Sequence, residues 1–146
     1  MFDKTQDYSG VIVDQPFFVD VSGENWDYMY IKYVSRYMTG FLAADGNVYF
    51  FGNQAAVRED MAVALVKALG LSDQVVEESE LKTIFNDWES ISPNLRKYVL
   101  IAYENNLIDG YPGGWFKPQQ TITRAETSAL LMRVWQSPAM EKVVFE

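Results

Sequence analysis

The 146-residue sequence has no cysteine and no histidine. Disulfides, thiolate metal sites, cysteine nucleophiles and histidine-based triads are therefore excluded. The missing cysteine agrees with an intracellular protein and equally with many bacterial surface proteins, so it leaves the compartment open. Basic residues are few: 12 Lys and Arg stand against 20 Asp and Glu, a formal net charge of −8. Without a basic stripe to neutralise phosphates, no nucleic-acid partner is expected. A local basic site inside an acidic protein stays open. No run of about 18 apolar residues occurs, so no membrane insertion is expected. The opening residues "MFDKTQDYSG" lack the basic and apolar regions of a secretory leader. They read either as the start of an intracellular protein or as a piece of a longer exported one.

What is present is an apolar fraction of 49%, enough for a core, and an internal repeat. "FVDVSGENWDYMYIKYVSRYMTGF" (18–41) and "FNDWESISPNLRKYVLIAYENNLIDGY" (85–111) both open with Phe-x-Asp, at Asp20 and Asp87. Both end in Gly plus an aromatic, Gly40-Phe41 and Gly110-Tyr111. "YFFGNQAAVREDMAVALVKAL" (49–69) then aligns without gaps with "WFKPQQTITRAETSALLMRVW" (115–135), pairing Phe50 with Phe116, Arg58 with Arg124 and Leu65 with Leu131. The implied organisation is an extension at 1–17, a first unit at 18–71, an acidic linker at 72–84, a second unit at 85–135 and a tail at 136–146.

Each unit reads as helix, loop, helix. Ile31, Val34 and Met38 form one buried stripe, and Leu95, Val99 and Ala102, joined by Tyr103, form another. Ser92 is a candidate N-cap with Pro93 in the first turn. Asn106 and Gly70 are candidate left-handed helix ends. Met61, Leu65, Ala68 and Leu69 should face inward from one late helix, and Leu130, Leu131, Val134 and Trp135 from the other. Alternating runs are short, so the fold class is mainly all-α, with short strands near Val48–Phe50 or in the loops.

Thr123-Arg124-Ala125-Glu126 has the spacing of a capping box, with Ile122 as a buried anchor before it. The box does not account for the arginine, since a cation in the first turn opposes the helix dipole. In the first unit the sequence is Val57-Arg58-Glu59-Asp60, so the arginine stays where the capping threonine is gone. Two roles compete. Arg58 and Arg124 either tie down Asp20, Asp87 or nearby carbonyls, or present a guanidinium fork to an external carboxylate.

The combined pattern of Phe-x-Asp, helix, Gly-aromatic, "YPGGWFKPQQ" loop and Thr-Arg-Ala-Glu resembles the S-layer homology (SLH) repeat. The second unit matches closely and the first looks like a divergent copy. The resemblance implies helix–loop–helix units, usually in threes, packed around a small bundle. It implies noncovalent anchoring of a bacterial surface protein through a wall polysaccharide carrying pyruvylated sugar. A third repeat, or a second chain, would complete the usual set. By position the resemblance places ligand recognition on Arg124 and Arg58, near Asp20, Asp87, Gly110, Tyr111 and Trp115. Tyr111 and Trp115 read either as stacking platforms or as loop anchors.

Neither a cofactor nor a metal is expected, and no nucleophile or phosphate motif supports an enzyme. The alternative function is a repurposed pair serving as a structural or assembly module. The tyrosines at 28, 30, 33 and 37 read as core packing, sugar platform or protein interface.

Overall fold

The computed structural model describes residues 18–142; the expected extension at 1–17 and the tail residues 143–146 lie outside the described residues. The described chain is mainly α-helical with one two-stranded sheet. It forms two compact units, divided between Gln54 and Ala55. That division falls inside the first sequence repeat, so the late helix of repeat one belongs to the second unit.

The first unit holds helix α1 (Tyr28–Val34), a 3-10 turn at Ser35–Tyr37 and a hairpin. Strands β1 (Phe41–Leu42) and β2 (Val48–Tyr49) run antiparallel, with Phe41 opposite Tyr49. Phe18, Val21 and Ile31 form its core, packed by Tyr28, Val48 and Phe50. The expected stripe along α1 stops at Ile31. The chain tightens into the 3-10 turn after Val34, which changes the angular step, and Val34 is left 41% exposed. Tyr28 and Tyr37 are half-buried, whereas Tyr30 and Tyr33 face outward.

The second unit contains α2 (Arg58–Ala68), α3 (Leu81–Ile84), α4 (Arg96–Glu104) and α5 (Arg124–Gln136). Its core joins Ala62, Val63 and Val66 of α2 to Val99, Ile101 and Ala102 of α4. The linker contributes as well: its 3-10 turn at Glu78–Glu80 runs into α3, where Leu81 is fully buried. Ala68, expected inside, is exposed. On α5 the expected inward face is only partly realised. Leu130 is buried and Val134 packs against the core, but Leu131 and Trp135 are 60% and 75% exposed. Residues one apart on a helix diverge by about 100°, and the core reaches only the 130/134 row.

The Phe-x-Asp entries do the same work in both units. Asp20 accepts hydrogen bonds from the backbone N–H of Phe50 and Phe51, each at 2.7 Å. Asp87 accepts from Phe116 and Lys117, each at 2.8 Å. The rings follow: Phe18 lies 5.1 Å from Phe50, and Phe85 lies 5.2 Å from Phe116. Phe51 and Lys117 both take positive φ, 52° and 57°, a conformation disfavoured for residues with a Cβ. A carboxylate gathering two successive N–H groups offsets that strain in each unit. Asp87→Ala should therefore lower the unfolding free energy by roughly 2 kcal/mol, as expected for charge-assisted bonds to one part-buried and one exposed N–H, with Asp87→Asn losing less. Urea denaturation monitored by tryptophan fluorescence measures both.

Candidate functional site

The start of α2 docks on the loop of the second repeat. Val57 forms an isolated antiparallel bridge with Thr121. Arg58 N–H donates to Gln120 O at 3.0 Å and Glu59 N–H to Pro118 O at 3.2 Å. A helix start leaves its first N–H groups without internal partners. Here two of them are satisfied by loop carbonyls rather than by a capping side chain, and Val57 makes no side-chain cap bond.

This docking carries the Arg58 side chain inward, where the residue is only 4% exposed. Its Nε donates to Phe116 O at 2.9 Å and its Nη2 to Asp109 O at 2.6 Å. Nη1 lies 3.6 Å from Glu126 Oε1. The guanidinium carbon sits 4.5 Å from the Tyr111 ring centre and 5.2 Å from that of Phe116. Asp87 is held below by the Phe116 and Lys117 amides, not by either arginine.

Tyr111 and Glu126 complete the cluster. The Tyr111 hydroxyl donates to Glu126 Oε1 and accepts from Gln120 Nε2 at 3.0 Å. Glu126 Oε2 accepts from the Thr123 N–H and hydroxyl, each at 2.9 Å, and the Thr123 hydroxyl accepts from Glu126 N–H. The capping box predicted from the sequence is formed. The phenol of Tyr111 chiefly, then Thr123 and the Arg58 charge, hold the Glu126 carboxyl down at about 2. Burial, and then the bond to Glu126, raise the Tyr111 phenol above its usual range.

Toward solvent, Tyr111 pairs across a tight turn with Trp115, which is 45% exposed. Lys117 Nζ lies 4.7 Å from the Tyr111 ring, on the exposed side of the loop. Gly110 packs tightly: an added Cβ would come within 2.7 Å of Phe85 Cε1. The second unit thus gathers Arg58, Gly110, Tyr111, Trp115 and Asp87 around one loop. Arg124 begins α5 two residues before Glu126 and is exposed. Asp20 belongs to the first unit.

Sequence reasoning missed three members. Glu126 read as a helix cap, not as a partner of the arginine, yet it faces Arg58. Lys117 carried no motif signal. Glu59 is fully buried, accepting from Ser92 N–H at 3.0 Å, Ser92 Oγ at 2.9 Å and Gln119 Nε2 at 2.6 Å. Ser92 therefore does not cap the following turn through its side chain; its hydroxyl is committed to Glu59.

Two outcomes follow from this geometry. Arg58→Ala strands two carbonyls and a carboxylate and should destabilise the fold by roughly 3–5 kcal/mol, the range for breaking a buried pair. Arg58→Lys should recover only part, because it lacks the fork; thermal denaturation reads both. Glu126 has a folded pKa depressed from 4.5 to about 2, so its stabilisation is complete above its unfolded value and is lost as pH falls from 4.5 through about 2. Glu126→Gln should flatten the stability–pH curve in that window, as measured by urea midpoints at successive pH values.

Residues 84–128 match the family model described as S-layer homology domain. The chain is 30% identical over 128 residues to an amylopullulanase of Thermoanaerobacterium thermosulfurigenes, a match covering 88% of this chain and 6% of that protein. It is 28% identical over 129 residues to a cellulosome-anchoring protein of Acetivibrio thermocellus, covering 88% and 28% respectively. A surface layer protein of Brevibacillus choshinensis is 29% identical over 94 residues, covering 64% and 8%. The chain therefore spans less than a third of the length of each of these relatives. No solved structure matches. Residues 84–128, which carry the second Phe-x-Asp entry and the Thr-Arg-Ala-Glu start of α5, are thus the part of the chain that is similar to the S-layer homology domain family.

Proposed function

We propose that this chain is a non-catalytic anchoring module that holds a bacterial protein at the cell surface by binding a wall polysaccharide. The observation that carries this reading is the composition of the family-matching loop. It sets the partly exposed aromatic rings of Tyr111 and Trp115 beside a cation of the loop, Lys117, 4.7 Å from the Tyr111 ring centre, with the Arg58 guanidinium beneath. Sugar rings stack on such faces, and an acidic substituent is drawn to such cations. A pyruvylated sugar offers both an apolar ring face and a carboxylate. The names of two relatives, a cellulosome-anchoring protein and a surface layer protein, support a surface role.

In this reading the two arginines divide the work. Arg58 lies beneath the loop and fixes Tyr111, with its charge close to the ring that meets the ligand. Arg124 is exposed and makes direct contact with the carboxylate. Asp87 and Gly110 hold the loop in place from below, and Asp20 does so for the hairpin of the first unit.

Arg124→Ala should weaken retention on pyruvylated wall polymer by about tenfold or more, the usual consequence of losing a charge-assisted contact. Its melting temperature should stay near that of the parent chain, because Arg124 is exposed. Sedimentation of the chain with purified wall polymer reads the binding. Equal retention on polymer stripped of pyruvate would sink the carboxylate mechanism.

A further inference from the structure

The two repeats share one backbone device and differ in the side chain it carries. In the first unit Phe41 stands opposite Tyr49 in the hairpin, and Asp20 gathers the N–H groups of Phe50 and Phe51. In the second, Tyr111 bridges Trp115, and Asp87 gathers those of Phe116 and Lys117. Phe51 and Lys117 are therefore equivalent positions, with φ of 52° and 57°. Glycine fits such a left-handed backbone without strain, and asparagine is tolerated there. Neither repeat uses them. A long side chain held at a disfavoured φ points to a task for that side chain.

In the first unit the task is packing. The Phe51 ring stacks on Tyr49 at 5.2 Å with 9° between the planes, and lies 5.3 Å from Phe41. In the second unit Lys117 makes the corresponding contact, its Nζ 4.7 Å from the ring centre of Tyr111, the counterpart of Phe41. An exposed cation beside a ring contributes little to stability, and Lys117 is exposed. Among the described residues its ammonium forms no ion pair. What Lys117 brings to this position, where the first repeat has a ring, is a charge on a flexible stem beside an aromatic ring.

We infer that Lys117 is the specificity-determining residue of this loop: its ammonium selects a carboxylate-bearing sugar over a neutral one at the Tyr111 ring. This rests on the anchoring function proposed above and names the residue that discriminates within it. An ammonium acts as a compact point charge, so the selection is by charge and Lys117→Arg should preserve it.

The full chain and its Lys117 variants are compared for retention on purified wall polymer, native and stripped of pyruvate, and for melting temperature. The parent chain should prefer the native polymer. Lys117→Ala and Lys117→Gly should each weaken retention on native polymer about fivefold, the effect of one partly exposed charge contact. The loss on stripped polymer should be smaller, so the preference falls. Lys117→Gly should melt above Lys117→Ala, because alanine keeps a Cβ at positive φ and glycine does not. A side chain that only braces the loop would give another pattern, with glycine binding better than alanine as the strain is relieved. Equal loss of preference in the two, together with its retention in Lys117→Arg, is the expected result. Preference that survives in Lys117→Ala or Lys117→Gly overturns the inference, as does retention that follows melting temperature across the variants. A parent chain held on neither polymer, or equally on both, fails the anchoring or carboxylate reading and this inference with it. A parent that prefers native polymer while the variants do so equally fails this inference alone.

Discussion

Burying the Arg58 guanidinium removes it from water, a penalty of several kcal/mol unless its donors and charge are matched. The second unit is arranged so that they are. Two backbone carbonyls, at Asp109 and Phe116, take the donors on one side, Glu126 faces the third nitrogen, and two rings cover the planes. Each partner comes from a different stage of the second repeat: the residue just before its Gly-aromatic pair, its loop and the start of its last helix. One side chain from the first repeat thereby fixes three pieces of the second. Such contacts span 51 and 58 residues of sequence, so they tie together parts of the chain that no local motif joins.

Around that arginine the polar groups are linked in series. Glu126 is the acceptor for Tyr111, for Thr123 and for the Arg58 charge at once. Its low pKa is the electrostatic record of that convergence. Gln120 donates to the Tyr111 hydroxyl while its own carbonyl receives the Arg58 N–H. The Tyr111 ring is consequently held by its hydroxyl and by the buried Arg58 guanidinium beside it. A platform fixed in this way loses little freedom when a ligand settles on it, which is the condition for productive stacking.

The repeat, the Phe-x-Asp entries and the capping box were legible in the sequence, because each depends on short-range spacing. The left-handed positions at Asn106 and Gly70 were legible for the same reason and are observed at φ of 56° and 66°. The fate of the charged residues was not. Glu59, in the first turn of a helix, looks the same in sequence whether it faces water or Ser92. Periodicity likewise marks which α5 residues are apolar but cannot say that a neighbour covers only the Leu130 row. These are tertiary facts, set by which element happens to lie alongside. The division between Gln54 and Ala55 is of this kind as well, since it follows from α2 packing on α4 rather than from any break in the motif.

The substitution of valine for threonine before Arg58 shows how the same motif answers to its surroundings. At Thr123 the hydroxyl is needed, because the Glu126 N–H has no other acceptor in the loop before it. At Val57 the N–H groups of the next two residues already meet the carbonyls of Gln120 and Pro118. The backbone there is extended, with φ −103° and ψ 163°, and bridges Thr121. A β-branched apolar residue suits an extended bridge better than it suits a cap. At the start of α2 another stretch of chain thus supplies acceptors for the first two N–H groups. Arg58 is held there by a different need, since its one guanidinium donates to both the Asp109 and Phe116 carbonyls while balancing Glu126.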